Sequence, residues 1–220
     1  MIKKLAIRII TESQVLIGSG EGWGSVIDSD VVMNKFGVPV FPGRRLKGLL
    51  KESAEEIYEI MEAWGRGTRF DPARVFGEAG RPAAIRVYNL GLQGGDEINK
   101  WLKWAFCYFG PQAGMTRENI IRVFTEIRAQ TAINDNGVVK ENSLRVTRVL
   151  RKGLEFAGEI ELAEPTDDDL ILLGLACANL KWCGGKRNRG FGRIRCALYD
   201  GQKNLTEDAI AMLEGGLGLI

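Results

Sequence analysis

Histidine is absent from all 220 residues. That removes imidazole acid–base chemistry, His-ligated metals and Ser–His or Cys–His nucleophile pairs, and leaves catalysis to carboxylates, lysine, tyrosine or a metal. Cysteine is sparse as well. Cys107, Cys177, Cys183 and Cys196 lie apart or singly in apolar surroundings, without the Cys-x-x-Cys spacing of a zinc site, and read as core thiols. Long apolar runs are missing too: the longest, residues 170–180, falls well short of a bilayer span and fits a buried helix. The first ten residues have Arg8 inside their apolar run and no small-residue cleavage site after it, so they read as a strand and not as a signal peptide. No membrane partner is expected, and the location is cytoplasmic. There is no tandem repeat and no low-complexity tract. A hydrophobic content of 45% with 26% charged residues places what remains among ordinary globular proteins, and the length suits one domain over residues 1–220.

Residues 3–10 alternate Leu5, Ile7 and Ile9 with Lys4, Ala6 and Arg8, the period of a strand with one buried face. A glycine-rich stretch, Gly18, Gly20, Gly22 and Gly24, follows as a loop. In the extended segment after it, Asp28 and Asp30 stand two apart and point the same way. Their acidic face reads either as a charge-protected strand edge or as a functional carboxylate pair. Pro42 and Gly43 open a helix over residues 44–64, with Leu46, Leu49, Leu50, Ile57, Ile60 and Met61 at helical spacing. Its first turn carries Arg44, Arg45 and Lys47, against the usual preference for acids there, which makes sense if an anion sits near the free amides. Val75, Phe76 and Gly77 form a short anchoring turn, and residues 83–90 a second strand. Helices are expected over residues 97–109 and 117–130, with Trp101, Trp104, Phe106, Tyr108, Phe109 and Phe124 packing into a satellite core. Residues 131–150, with the turn signal at residues 134–137, predict a protruding hairpin bearing Arg145 and Arg148. A strand over residues 154–162, a helix to about Trp182 opened by a Thr166–Asp169 capping box, and a last strand over residues 191–199 complete the chain.

Residues 184–192 read Gly-Gly-Lys-Arg-Asn-Arg-Gly-Phe-Gly. Glycines permit positive φ and close backbone approach, while Lys186, Arg187 and Arg189 add fixed charge, a combination suited to a phosphate chain. From Lys181 to Arg195 there are six basic residues and no acid, on a chain of net charge +2, so the basicity is local and implies a polyanion along one surface. A solvated turn is the plainer alternative. Gly185 and Gly190 bracket four residues as in a P-loop, but Phe191 stands where the lysine belongs. The RNP1 pattern fails because Arg193 and Cys196 replace base-stacking aromatics. The order strand, helix, strand, insertion, strand, helix, strand is that of an α+β, ferredoxin-like (RRM-like) βαββαβ core, about residues 1–90 and 151–205, with a helical insertion and a thumb-like β-hairpin over about residues 91–150.

Four segments, residues 27–29, 41–48, 75–77 and 184–192, together resemble the CRISPR-associated RAMP superfamily, most nearly the backbone subunits of type III effector complexes. The resemblance implies binding of a guide CRISPR RNA, pairing with target RNA, and assembly with further copies and other effector subunits. It implies that Arg44, Arg45 and Lys47 hold guide phosphates, and that Gly184, Gly185, Lys186, Arg187, Asn188 and Arg189 contact the guide and a neighbour. Residues 131–150 would be the thumb, with Arg128, Arg145 and Arg148 as its RNA-facing cations. Asp28 matches the position of a target-cleaving aspartate, with a divalent metal, Mg2+, as cofactor and in-line attack by a ribose 2'-OH. A non-cutting scaffold subunit and a precursor-RNA processing enzyme are the alternatives. Asp30 departs from the proline of that motif, and Asn134, Asp135 and Asn136 stand in place of the thumb's Asp-Arg.

Overall fold

The strand β1, Ile2–Thr11, alternates exposed with buried residues and buries Leu5, Ile7 and Ile9 completely, as its period-two pattern requires. It is seen in a computed structural model that describes residues 1–18, 30–65, 69–131 and 143–217. Helix α1, Gly43–Ala63, buries Leu46, Leu49, Leu50, Ala54 and Met61 on one face. It begins at glycine for a steric reason: a Cβ on Gly43 would lie 2.4 Å from the Val87 carbonyl oxygen of β2, Ile85–Val87. The Gly43 amide donates to Asn89 Oδ1 at 2.9 Å, which satisfies one of the orphan donors of the helix start. Between these elements, α2, Pro72–Phe76, is capped by Asp71 and anchors Val75 and Phe76 in the core.

After the short β3, Gly91–Leu92, come α3, Gly95–Tyr108, and α4, Arg117–Phe124. The expected helix over residues 117–130 ends early. Thr125 turns extended, its hydroxyl donates to the Ile121 carbonyl at 2.8 Å, and Thr125–Gln130 becomes β4, paired antiparallel with β5, Arg145–Leu150. The hairpin is therefore longer at its base than residues 131–150, and its tip, including Asn134, Asp135 and Asn136, lies outside the described residues. Then follow β6, Glu155–Ala163; α5, Asp167–Asn179; β7, Ile194–Asp200; β8, Lys203–Asn204; and α6, Leu205–Leu217.

The main sheet has the order β2-β6-β1-β7-β8, with β3 also on β6 and every pair antiparallel. Leu5 faces Ile160 and Ile9 faces Phe156 across β1–β6, while Ile7 faces Leu198 across β1–β7. Counting β1, α1, β2, β6, α5 and β7 gives βαββαβ with the ferredoxin-like strand order, and β3 to β5 with α3 and α4 are inserted between β2 and β6. The capping box at Thr166 and Asp169 is formed as expected. Helix α5 is buried on several sides because α1, α6 and β7 all pack against it. Gly174 lets α6 approach: a Cβ there would meet the Leu205 carbonyl oxygen at 2.6 Å. No described helix is long and apolar enough to cross a membrane.

Two further expectations change. Cys177, Cys183 and Cys196 are buried, but Cys107 is exposed, because it lies on the outward side of α3. Of the six aromatic residues assigned to a satellite core, Phe106 and Phe124 are half-buried against the main core, whereas Trp101, Trp104, Tyr108 and Phe109 are exposed. Helical spacing put them on one face, but no described element covers that face.

Phe156→Ala, which empties a fully buried site packed edge-on against Phe41, is expected to lower unfolding stability by about 3–5 kcal/mol. Thr166→Ala, which removes only the cap, is expected to cost about 1 kcal/mol. Urea titrations of both variants measure the contrast.

Candidate nucleic-acid interface

Residues 11–17, which leave β1, bind three other parts of the chain through their backbone. The Thr11 amide donates to the Leu154 carbonyl at 3.0 Å, and Glu12 and Ser13 amides donate to the Arg193 carbonyl. Val15 and Leu150 exchange both of their backbone bonds, and the Gly192 amide donates to the Gln14 carbonyl at 2.7 Å. The Gly185 amide donates to the Leu16 carbonyl at 3.1 Å. The 184–192 loop is thus laced to the exit of β1 on one side and enters β7 on the other.

The glycines of this loop serve close packing. Gly184 has φ +75°, and a Cβ there would lie 2.2 Å from the Leu16 carbonyl oxygen; Gly192 has φ +91°, and its Cβ would lie 2.2 Å from the Cys183 carbonyl oxygen. Their expected role as exposed amides for phosphate is corrected at three positions, since Gly185, Gly190 and Gly192 all donate within the chain. Arg187, Asn188 and Arg189 form an exposed single turn of 3-10 helix instead, entered through Lys186 in the left-handed conformation at φ +59°. Lys186 Nζ donates to Gln130 Oε1 at 3.0 Å and Thr147 Oγ1 at 2.8 Å, and Arg189 donates to the same Gln130 oxygen at 3.0 Å. Arg187 bends back to the Gly184 carbonyl. The loop therefore rests on the base of the β4–β5 hairpin.

Charge is less uniform than the sequence of residues 181–195 implies. Arg193 and Arg195 both pair with Glu12, at 3.1 and 2.7 Å, and the Arg195 hydrogen bond foremost holds the Glu12 carboxyl below the usual range. Arg128 pairs with Glu126 at 3.4 Å and donates to Gln14 at 3.0 Å, and Arg151 also reaches Glu126. By contrast, Arg44 and Arg45 are exposed and have no hydrogen-bond or ion-pair partner among the described residues. Lys47 is half-buried, and that burial, with Lys51 nearby, pushes its ammonium below the ordinary lysine value. Burial pushes the Cys183 thiol up to about 12, and the charges opposing that rise belong to Arg187 and Arg45. The start of α1 and the 184–192 loop are neighbours, since Arg187 shares a cleft with Leu49 of α1.

Arg145 is exposed on β5. Arg148 is not a surface cation. It is 4% exposed, and its guanidinium donates to Asp30 Oδ2 at 3.1 Å and Glu118 Oε1 at 2.8 Å, clamping the hairpin to α4 and to the segment at residue 30. Both faces of this end of β5 are covered, since Thr147 and Val149 are buried as well, and that corrects the assignment of Arg148 to RNA. Asp30 likewise leaves the expected acidic surface: it is buried, and its second oxygen accepts from the Val31 amide. Asp28 lies outside the described residues.

A family model, the RAMP superfamily, matches residues 8–195. The chain belongs to the RAMP superfamily. This RAMP chain is similar in fold to a chain in the cryo-EM structure of the Type III-B Cmr-beta in its apo state, with 13% identity and a TM-score of 0.61 over 88% of this chain and 96% of that one. A chain of Type III-B Cmr-beta bound to cognate target RNA gives 12% identity and a TM-score of 0.62 over 94% and 98%. No curated protein matches in sequence. Among its described residues no three acids or cysteines cluster as metal ligands, and both Asp30 oxygens are engaged within the chain. Reading the RAMP motifs from sequence also missed Gln14 and Gln130, neutral residues whose only signal was their place beside the loop and hairpin.

Arg148→Ala leaves Asp30 charged and buried without its partner and is expected to cost about 3–5 kcal/mol. Arg187→Ala, at an exposed position, is expected to change stability by no more than about 0.5 kcal/mol. Chemical denaturation of the two variants separates the buried, structural arginine from the exposed one.

Proposed function

We propose that this RAMP protein binds the sugar-phosphate backbone of a guide CRISPR RNA as a subunit of a type III-like antiviral effector complex, alongside other subunits and further copies of itself. The observation that carries the reading is the exposure of Arg44 and Arg45 at the start of α1 and of Arg187 on the 184–192 loop, which shares a cleft with Leu49 of the same helix. Arg44 has no ion-pair partner among the described residues, and the loop is held against the hairpin through Gln130. Such a strip of guanidinium groups suits phosphates, because each presents several donors in a fixed plane and stays charged at any physiological pH. Bases lying away from it are left to pair with a target RNA. Family membership and likeness in fold to chains of Type III-B Cmr-beta, in its apo state and bound to cognate target RNA, support the assembly part.

The affinity of the purified chain for a guide-length RNA is expected to fall steeply with salt, since cations bound to the phosphates are released on binding. Replacing Arg44, Arg45 and Arg187 together by alanine is expected to flatten the slope of log K against log salt by about 2, at about 0.7 for each single-strand phosphate that is no longer neutralised. Filter binding over a salt series measures this. An unchanged slope removes the interface.

Target cleavage at Asp28 is the further part of the proposal. There the carboxylate takes the proton from a ribose 2'-OH as that oxygen bonds to phosphorus and the bond from phosphorus to the 5'-oxygen breaks, giving a cyclic phosphate and a free 5'-hydroxyl. Asp28→Asn in the assembled complex is expected to abolish cutting of guide-paired RNA while leaving its binding within about twofold, in line with the weight of a general base, roughly 100-fold or more in rate. Unchanged cutting assigns the protein a scaffold role alone. Denaturing gel analysis of labelled target reads both outcomes.

A further inference from the structure

Helix α3 carries an aromatic stripe that no described element covers. Trp101, Trp104 and Tyr108 stand at the i, i+3 and i+7 positions of one helical face and are 54%, 51% and 72% exposed. Trp104 and Tyr108 are stacked at 5.2 Å with 14° between their planes, and Phe109 stands edge-on to both. These rings fix one another's orientation before anything binds, which lowers the ordering cost of laying a flat group on them. The stripe runs about 10 Å along the helix, at about 1.5 Å per residue. Large apolar residues gathered on one exposed face mark a binding surface, whereas scattered ones do not.

Charge selects the occupant. Lys100 is an i, i+4 neighbour of Trp104 and an i, i+3 neighbour of Lys103, so two ammonium groups lie alongside the rings. Both lysines are exposed and have no ion-pair partner among the described residues. From Ile98 to Arg117 the chain holds no carboxylate, and Asp96 and Glu97 stand in the first turn of α3, where acids complement the helix dipole. Protein interfaces favour aromatic residues but are depleted in lysine. Surfaces for single-stranded nucleic acid instead set cations for the phosphates beside rings for the bases.

This face is distinct from the one assigned to the guide. Thr147 and Arg148 are successive residues of β5 and point to opposite sides of the hairpin. Thr147 accepts from Lys186 of the 184–192 loop at 2.8 Å, while Arg148 donates to Glu118 of α4 at 2.8 Å. Helix α3 lies against α4, with Trp101 and Phe124 lining one groove. The glycine-rich loop and the inserted helices are thus on opposite sides of the β4–β5 hairpin.

We propose that the outer face of α3 is a second nucleic-acid site, taking unpaired nucleotides of an RNA strand. Their bases stack on Trp101, Trp104 and Tyr108, and their phosphates meet Lys100 and Lys103. The site goes beyond the guide interface and does not depend on it.

Fluorescence anisotropy with a labelled oligoadenylate of about 12 nucleotides tests it. The whole chain is used with Arg44→Ala, Arg45→Ala and Arg187→Ala in place, which takes away the cations of the guide interface. Binding is expected to persist in this background, and a duplex of the same length is expected to bind at least about tenfold more weakly, because its bases are already stacked on one another. Adding Trp104→Leu with Tyr108→Leu is expected to lower affinity for the single strand by at least about tenfold while leaving its salt slope unchanged. Adding Lys100→Gln with Lys103→Gln instead is expected to flatten that slope by about 1.4, at about 0.7 for each phosphate no longer neutralised. Thermal melts check that both variants, whose changes are all at exposed positions, are folded. Loss of all binding in the arginine background, equal binding of the duplex, or a slope untouched by the lysine pair overturns the proposal. So does an affinity untouched by the aromatic pair, an outcome that gives the face to a protein partner, since leucine keeps apolar area and removes only the ring. The two interfaces fail separately: the guide interface is judged by the arginine changes alone, and this one by the α3 changes made on top of them.

Discussion

Residues 11–17 divide their backbone groups among the 150–154 turn, the hairpin strand β5 and the glycine-rich loop, and the positions of all three follow from that division. Because β1 is itself bonded on both edges, by β6 and β7, this exit segment is held by a central strand of the sheet. Backbone bonds of this kind set register without depending on side-chain charge. The close approaches at Gly184 and Gly192 are possible only because no Cβ intervenes, so the loop sequence is dictated first by packing against Leu16 and Cys183. Its cations are then displayed from a fixed base.

Electrostatics sort the arginines into three groups. Arg148 is buried and joins the hairpin to Asp30 and Glu118, where its worth lies in what its removal would leave uncompensated. Arg193, Arg195 and Arg128 are exposed but answered by Glu12 or Glu126, which lowers the local field they contribute. Among the described residues Arg44 and Arg45 are unanswered, and Arg187 spends one hydrogen bond on its own loop. An anion approaching this surface meets its strongest attraction at the last group, at the start of α1 and the outer turn of the loop. The preference is local, on a protein nearly neutral overall.

Much of the core was legible because period and packing coincide there. The alternation of Leu5, Ile7 and Ile9, the helical spacing of Leu46, Leu49 and Leu50, and the Thr166 capping box each describe an element whose apolar side is covered in the fold. The insertion was read less well for the opposite reason. Trp101, Trp104 and Tyr108 share a helical face, but spacing carries no information on whether a second element lies across from it. The boundary at Thr125 was hidden because Ile121, Phe124 and Ile127 continue an apolar period while the pairing with β5 takes over. Arg148 and Asp30 are far apart in sequence, and a buried ion pair between such positions leaves no local pattern. Of the candidate site, Arg44, Arg45 and Arg187 were evident from composition, whereas Gln130, neutral and unremarkable in sequence, was not.

That glutamine couples the loop to the hairpin through an uncharged acceptor. Both Lys186 and Arg189 reach one amide oxygen, which neither titrates nor attracts a counterion. Dissolved ions compete with the carboxylate pairs nearby, but they have little purchase on a bond to an amide. The spacing between the cationic turn and the hairpin is therefore set to persist across ionic strengths at which the surrounding pairs loosen, so the outer face of the loop keeps one shape in dilute and concentrated electrolyte.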